Sequence, residues 1–328
     1  MTRVVPIGPL PSGSYPGFGV FLVTTLGTKN TVLAIYSVIG CNVPYLAQEN
    51  RGMEVYSEAA FDRYLECIGV RRTAPSWEAL AELTSAHLRR VPFENVSKIY
   101  RAHFLGIRKI PRLDEFLDGI ERCNFGGTCY TNNYYMHLLL VHLGYRARLC
   151  SADIAVNGAP PDGHMVNVVS FGAKEAIVDV GYGEPFWKPI PRNKADDIVL
   201  ELGSERYVLK PQDQQGRSRL EVYRSNQLAH GYLLKPASKT IHDFAEVVDR
   251  SYEDKAPFLN RLVVTRFFED WALVLRNHTL TEIRPSAPVR RQMETLDAVV
   301  ETIVDRFGMP EGIACAAVGL VGSKIFGS

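Results

Sequence analysis

The residues best suited to carry chemistry in this sequence are Cys129, His164 and Asp179. Cys129 follows Gly126-Gly127-Thr128 and enters what reads as a helix over 130–143, closed by Gly144. The unpaired N–H groups and positive dipole end of a helix N-terminus favour an anion, so a thiol placed there ionises more readily and becomes a nucleophile near neutral pH. Gly126 and Gly127 let the backbone turn sharply and leave room for a substrate beside the sulfur. A cysteine alone is more often a small buried apolar residue, so the reading depends on a histidine elsewhere.

The alternating region of the chain supplies that histidine and a carboxylate. His164 opens a strand-like run behind the turn Ala159-Pro160-Pro161-Asp162-Gly163, and Asp179 ends another ahead of Gly181-Tyr182-Gly183. A turn at Gly172 lies eight positions after His164 and seven before Asp179, spacing compatible with an antiparallel pair that sets the two side by side. An imidazole beside the thiol takes its proton, and the resulting thiolate attacks acyl carbons. A carboxylate on the other ring nitrogen fixes the tautomer and stabilises the charged ring. Singly, His164 can be a strand-end surface histidine and Asp179 a turn cap. The three together, on suitable elements, are harder to dismiss.

Positioning them requires a helical region followed by a sheet. Ser57 can cap a helix with Ala60, Tyr64, Leu65 and Ile68 on one face, ending at Gly69, and Ser76 a second with Leu80, Leu83, His87 and Leu88. His87 fits that face as a core histidine. Val91-Pro92-Phe93-Glu94-Asn95-Val96 encloses a polar pair where the helix ends, and Leu113, Phe116, Leu117 and Ile120 mark a third amphipathic stretch leading to Cys123. After Gly144 the period becomes alternating. Strands are expected over 145–156, 164–171, 176–180, 206–209, 220–223 and 232–234, forming a small antiparallel sheet or barrel. A short helix over 241–250, a hairpin of 261–267 with 271–276 and a terminal helix over 296–307 follow; the apolar, Gly-rich tail after Pro310 has no readable period.

Residues 1–52 differ from the rest. They hold several prolines and two apolar runs, 17–26 and 31–39, neither of membrane-spanning length, and Arg3 is the sole charge available for a signal-peptide start. They read as an extension of unknown structure, with Met53 as a natural start. Net charge is +1 from 37 basic and 36 acidic residues, which points away from nucleic acid and anionic membranes. Six cysteines without framework or zinc-site spacing suggest free thiols in a cytoplasmic setting, with no metal. No GxGxxG or GxxxxGK phosphate loop surrounds Cys129.

The order Pro92-Phe93-Glu94-Asn95, Gly126-Gly127-Thr128-Cys129, Asn133, His164-Met165 and Asp179-Val180-Gly181-Tyr182-Gly183 resembles the arylamine N-acetyltransferases. Asp243-Phe244 and the 251–258 run with Pro257 resemble that family's later motifs, so the resemblance covers about 53–282. It implies an α+β fold with a papain-like core: a helical bundle with the nucleophile helix (53–145), an antiparallel β-barrel (146–255) and an α/β lid with the C-terminal tail (256–328). It also implies Cys129, His164 and Asp179 as a catalytic triad. The activity implied is ping-pong acetyl transfer from acetyl-CoA, a substrate rather than a resident cofactor, to an arylamine or hydrazine, as in xenobiotic metabolism. Phe93 and Tyr182 would line the acceptor pocket.

The sequence departs from the family pattern at three places. Phe125 replaces the Arg before the glycine pair, Thr131 the Glu two residues after the cysteine, and Tyr182 the Phe of the DVGFG motif. Losing an Arg and a Glu together keeps the local charge, but leaves Glu94 in need of a new partner. These changes bear on substrate more than on the triad. An amide synthase using another acyl donor on the same fold, and a transglutaminase-like or thiol hydrolase, are the alternative readings.

Overall fold

The structure, a computed structural model, describes residues 56–156 and 158–326, together with the backbone of four short strands upstream. Those strands form two antiparallel pairs, β1 (Arg3–Pro6) with β2 (Phe21–Thr24) and β3 (Leu33–Val38) with β4 (Cys41–Leu46). The rest of the 1–52 extension, and Met53, lie outside the described residues.

A run of helices follows, interrupted by one short strand. α1 (Glu58–Ile68) and α2 (Trp77–Arg90) are capped as expected, with Ser57 Oγ accepting from Ala60 N–H at 3.3 Å and Ser76 Oγ from Ala79 N–H at 3.0 Å. His87 is a core residue: fully buried, its Nδ1 sits 2.9 Å from Tyr64 Oη, and burial pushes it down to about 3. The polar pair after α2 is a strand, β5 (Phe93–Glu94), leading into a helix that the sequence reading lacked, α3 (Val96–Phe104). α4 (Leu113–Cys123) and α5 (Cys129–His142), which begins at Cys129, complete the group.

Eight strands then build an antiparallel sheet that curls into a nearly closed barrel. They are β6 (Arg146–Ile154), β7 (His164–Phe171), β8 (Lys174–Val178), β9 (Ile190–Pro191), β10 (Ile198–Leu202), β11 (Glu205–Leu209), β12 (Ser218–Arg224) and β13 (Gln227–Lys239). The expected 232–234 strand is thus the middle of a 13-residue one, and β9 and β10 are additions. Two register irregularities bend β13, so it pairs with both β12 and β6.

The expected 241–250 helix is a 3-10 turn, Ile241–Phe244, running into α6 (Ala245–Arg250). After α7 (Pro257–Asn260), β14 (Val263–Phe267), β15 (Ala272–Arg276), β16 (Thr279–Ile283) and β17 (Val289–Gln292) form a second sheet, whose other edge is β5. α8 (Leu296–Phe307) matches its expected span, and the tail is a helix buried along one face, α9 (Glu311–Ile325). The fold is α+β.

Two apolar cores result. One joins α1, α2, α4 and α5 to the barrel; the other lies beneath α3, α8, α9 and the second sheet. Cys129 and Met165 belong to the second, whereas Val166, Val178 and Val180 belong to the first. The candidate triad therefore straddles their seam.

Asn95 fastens the start of α3 to α7 and the start of β14. Fully buried, its Oδ1 accepts from Val263 N–H at 2.8 Å, and its Nδ2 donates to the carbonyls of Phe258 and Arg261 at 2.9 and 2.6 Å. An Asn95→Ala substitution leaves Val263 N–H and the carbonyls of Phe258 and Arg261 without that partner. It is expected to destabilise the protein by about 3 kcal/mol, read as a lower urea midpoint; a change within about 0.5 kcal/mol would show the clamp to be dispensable.

Candidate functional site

Cys129 is the first residue of α5, just behind the Thr128 N-cap, and is buried. The loop before it lies directly on the strand preceding α3. A Cβ on Gly126 would come 2.0 Å from the Pro92 carbonyl oxygen, so this approach demands glycine. Glu94 N–H donates to Gly127 O at 3.1 Å, and Asn132 Nδ2 donates to Pro92 O and Gly127 O at 3.3 and 3.2 Å. The sulfur is thus presented by a braced turn.

His164 and Asp179 meet as the hairpin geometry requires. In the β7–β8 ladder Asn167 faces Val178, and Asp179 follows directly after the last residue of β8. One carboxylate oxygen, Oδ2, lies 2.8 Å from His164 Nε2. The other accepts from Asn133 Nδ2 at 2.8 Å and Gly181 N–H at 3.1 Å. Asn133 also accepts from Val180 N–H at 2.9 Å and donates to Met165 O at 2.6 Å. It stands one helical turn after Cys129, so the helix that carries the thiol also holds the carboxylate. Gly181 closes the arrangement, since a Cβ there would come 2.7 Å from Cys129 Cα. Tyr130 Oη, donating to Gly163 O at 3.0 Å, anchors the residue ahead of His164.

The electrostatics follow from this burial. Loss of solvent alone would lower the His164 pKa. The charge and hydrogen bond of Asp179, followed by the Cys129 thiol, raise it instead from 6.5 to about 10. With Nε2 engaged by Asp179, Nδ1 is the nitrogen left for Cys129. The three residues form one contiguous charge-sharing group.

Phe93 and Tyr182 flank it. Phe93 packs edge-on against Phe258, with ring centroids 5.8 Å apart, and lies against Gly183, where a Cβ would come 2.9 Å from its ring. The Tyr182 ring sits 5.0 Å from that of His164. Its hydroxyl lies 2.9 Å from His230 Nδ1, and His230 Nε2 is 3.2 Å from buried Glu184. Burial pushes Glu184 up, but His230, Arg224 and Arg276 hold its carboxyl below the usual range. Sequence reasoning missed His230 and Glu184. Neither belongs to a motif, and β13 delivers His230 from far along the chain.

Glu94 finds its partners locally. Fully buried, it accepts from Ser97 N–H at 2.9 Å, Ser97 Oγ at 2.5 Å and Gly126 N–H at 3.2 Å. Burial pushes the carboxyl up against these donors. It thereby joins the first turn of α3 to the nucleophile loop without the missing arginine.

A family model described as N-acetyltransferase matches residues 76–312. The arylamine N-acetyltransferase of Mycobacterium tuberculosis is 24% identical over 270 residues, spanning 75% of this chain and 88% of that protein. Proansamycin X synthase of Amycolatopsis mediterranei is 31% identical over 150 residues, 44% of this chain and 56% of that protein. The structure of Mycobacterium marinum arylamine N-acetyltransferase in complex with CoA shares the fold, with a TM-score of 0.68 at 23% identity over 80% of this chain and 99% of that one. With the family match running through the nucleophile helix, the barrel and the second sheet, this chain belongs to the arylamine N-acetyltransferase family and is an acyltransferase enzyme.

Proposed function

We propose that the protein moves an acetyl group from acetyl-CoA to an arylamine or hydrazine nitrogen through a thioester on Cys129. The observation that carries this reading is the bond between His164 and Asp179 beside a thiol on a helix N-terminus. Cys129 reacts as a thiolate whose proton His164 already holds, and it attacks the thioester carbonyl of acetyl-CoA. The carbon–sulfur bond to CoA breaks, and CoA leaves as a thiol with the proton from the imidazolium. An amine then attacks the acetyl-Cys129 carbonyl. The carbon–nitrogen bond forms, the bond to Cys129 breaks, and the amine gives up a proton to His164. Asp179 holds the ring in one tautomer throughout.

Phe93 and Tyr182 form the walls against which the acceptor ring would pack, in keeping with their places beside Gly183 and His164. CoA enters as a substrate, as in the Mycobacterium marinum complex, and no resident cofactor is needed. No described helix is long and apolar enough to cross a membrane, and the expected place of action is the cytoplasm. An amide synthase with a different acyl donor is the second reading, favoured by the departures at Phe125, Thr131 and Tyr182.

Single-turnover mass spectrometry tests the thioester. Acetyl-CoA is expected to add one acetyl group at Cys129, removed on addition of an arylamine, with no adduct on a Cys129→Ala variant. Rapid alkylation by iodoacetamide without an acetyl adduct would instead indicate another donor, and a thiol inert to both reagents would sink the catalytic reading.

The electrostatics give a second test. His164 has a folded-state pKa raised from 6.5 to about 10, so its proton stabilises the native state fully below about pH 6.5 and ceases to do so as pH rises through about 10. The stability advantage of the wild type over His164→Asn, from urea midpoints, is therefore expected to be largest near pH 6.5 and to shrink towards pH 10. An advantage that grows with pH would contradict a charged imidazole.

A further inference from the structure

Tyr182 holds a position that its own backbone does not fix. It stands between Gly181 and Gly183, and Gly183 adopts a φ of 81°, in the region that favours glycine. What secures the residue is the far end of its side chain. The hydroxyl lies 2.9 Å from His230 Nδ1 on β13, His230 Nε2 lies 3.2 Å from a Glu184 oxygen, and Arg224 Nη2 from β12 donates to that same oxygen at 2.8 Å. Glu184 is only 3% exposed and its carboxyl is held below the usual range, so the row ends on a buried anion. No step of the acyl transfer uses this row.

The ring that the row holds lies against His164. Its centroid is 5.0 Å from that of the imidazole at an interplanar angle of 57°, and Tyr232 approaches the same imidazole at 5.1 Å and 40°. The two phenol rings meet each other edge to face at 5.0 Å. Asp179 and the Cys129 thiol serve the ring nitrogens, whose hydrogen bonds lie in the imidazole plane. Out of that plane a buried imidazolium has only what packs on it, and an aromatic ring within about 6 Å of a cation attracts it through its quadrupole. The other titratable groups nearby are already engaged: Tyr130 on α5 donates to Gly163 O at 3.0 Å, and Asp162 meets Lys235 at 2.8 Å. A phenylalanine at position 182 would bring the ring without the tether.

We propose that Tyr182 is a positioning residue for the charged form of His164: His230 and Glu184 tether its hydroxyl, and its ring, together with that of Tyr232, stabilises the imidazolium that keeps Cys129 a thiolate. The inference rests on the reading of Cys129 and His164 as nucleophile and base. Tyr182 itself makes and breaks no bond.

The test follows the His164 ring by NMR in enzyme carrying isotope-labelled histidine, with the resonance assigned through His164→Asn. In the wild type, nuclear Overhauser contacts are expected between ring protons of His164 and Tyr182, and their absence overturns the assignment whether or not any variant folds. The titration midpoint of His164 is expected to fall by about half a unit in Tyr182→Phe and in His230→Leu, which lose the tether, and by about one unit in Tyr182→Leu, which loses the ring. His230→Asn, which keeps a polar partner at the place of Nδ1, is expected to restore the wild-type midpoint. The double variant Tyr182→Phe/His230→Leu is expected to shift no further than either single one, since both remove one contact. Additive shifts overturn the tether, and so does a rise in His230→Leu, which would mean that His230 acts on His164 by charge alone. A midpoint unmoved in Tyr182→Leu removes the role of the ring. Single-turnover acetylation of the same enzymes keeps the two readings apart. Enzyme that shows the expected shifts but forms no acetyl adduct loses the thioester reading and keeps the tether; enzyme that acetylates with an unmoved midpoint loses only Tyr182.

Discussion

The buried contact between His164 and Asp179 sets the terms for this fold. Both are about 1% exposed, so each has lost nearly all of its hydration. Such a pair persists only if its geometry is good and its remaining lone pairs are satisfied. Those conditions explain the surrounding residues. Asn133 and Gly181 complete the outer oxygen of Asp179, and Tyr130 fixes the residue before His164. Asn133 and Tyr130 both sit on α5, so the helix that presents the sulfur also holds the charge pair. The thiol is positioned by the elements that satisfy the pair, and the two cannot drift apart independently.

The same economy of contacts accounts for the tolerance of Phe125 and Thr131. In the pattern that the sequence resembles, Glu94 shares a polar network with an arginine and a glutamate. Here Phe125 packs against the second core, and Thr131 Cβ lies where a side chain on Gly127 would collide. Glu94 stands instead at the start of α3, where backbone N–H groups favour a carboxylate. Ser97 supplies a hydroxyl and an amide, and Gly126 a third donor. Glu94 is thus held by donors at the start of α3 and by the loop that precedes Cys129.

Legibility in the sequence tracked how much of each element's reason for existing is local. α8 matches its expected span because Thr295 caps it and its apolar residues recur on one face. α9 had no readable period because Ala, Val, Gly and Leu fill its exposed face, at Gly319 and Leu320, as well as its buried one. β5 is two residues long and exists through its pairing with β14, far along the chain, and its bridge to Gly127. β13 exceeds its expected length because its register irregularities let one strand serve two neighbours. Cys129, His164 and Asp179 were readable because each sits at a junction marked by glycine or proline. Lys98, His230 and Glu184 carry no such mark: a lysine on a helix reads as solvated until its burial beside Ser251 and Tyr252 is seen.

Two of these unmarked residues, His230 and Glu184, complete the surroundings of the triad. Next to His164, Tyr182 meets His230 and Glu184, with Arg224 and Arg276 behind them. That side holds its own anion and balances it. A neutral acceptor ring is compatible with this environment, because its charges are already paired.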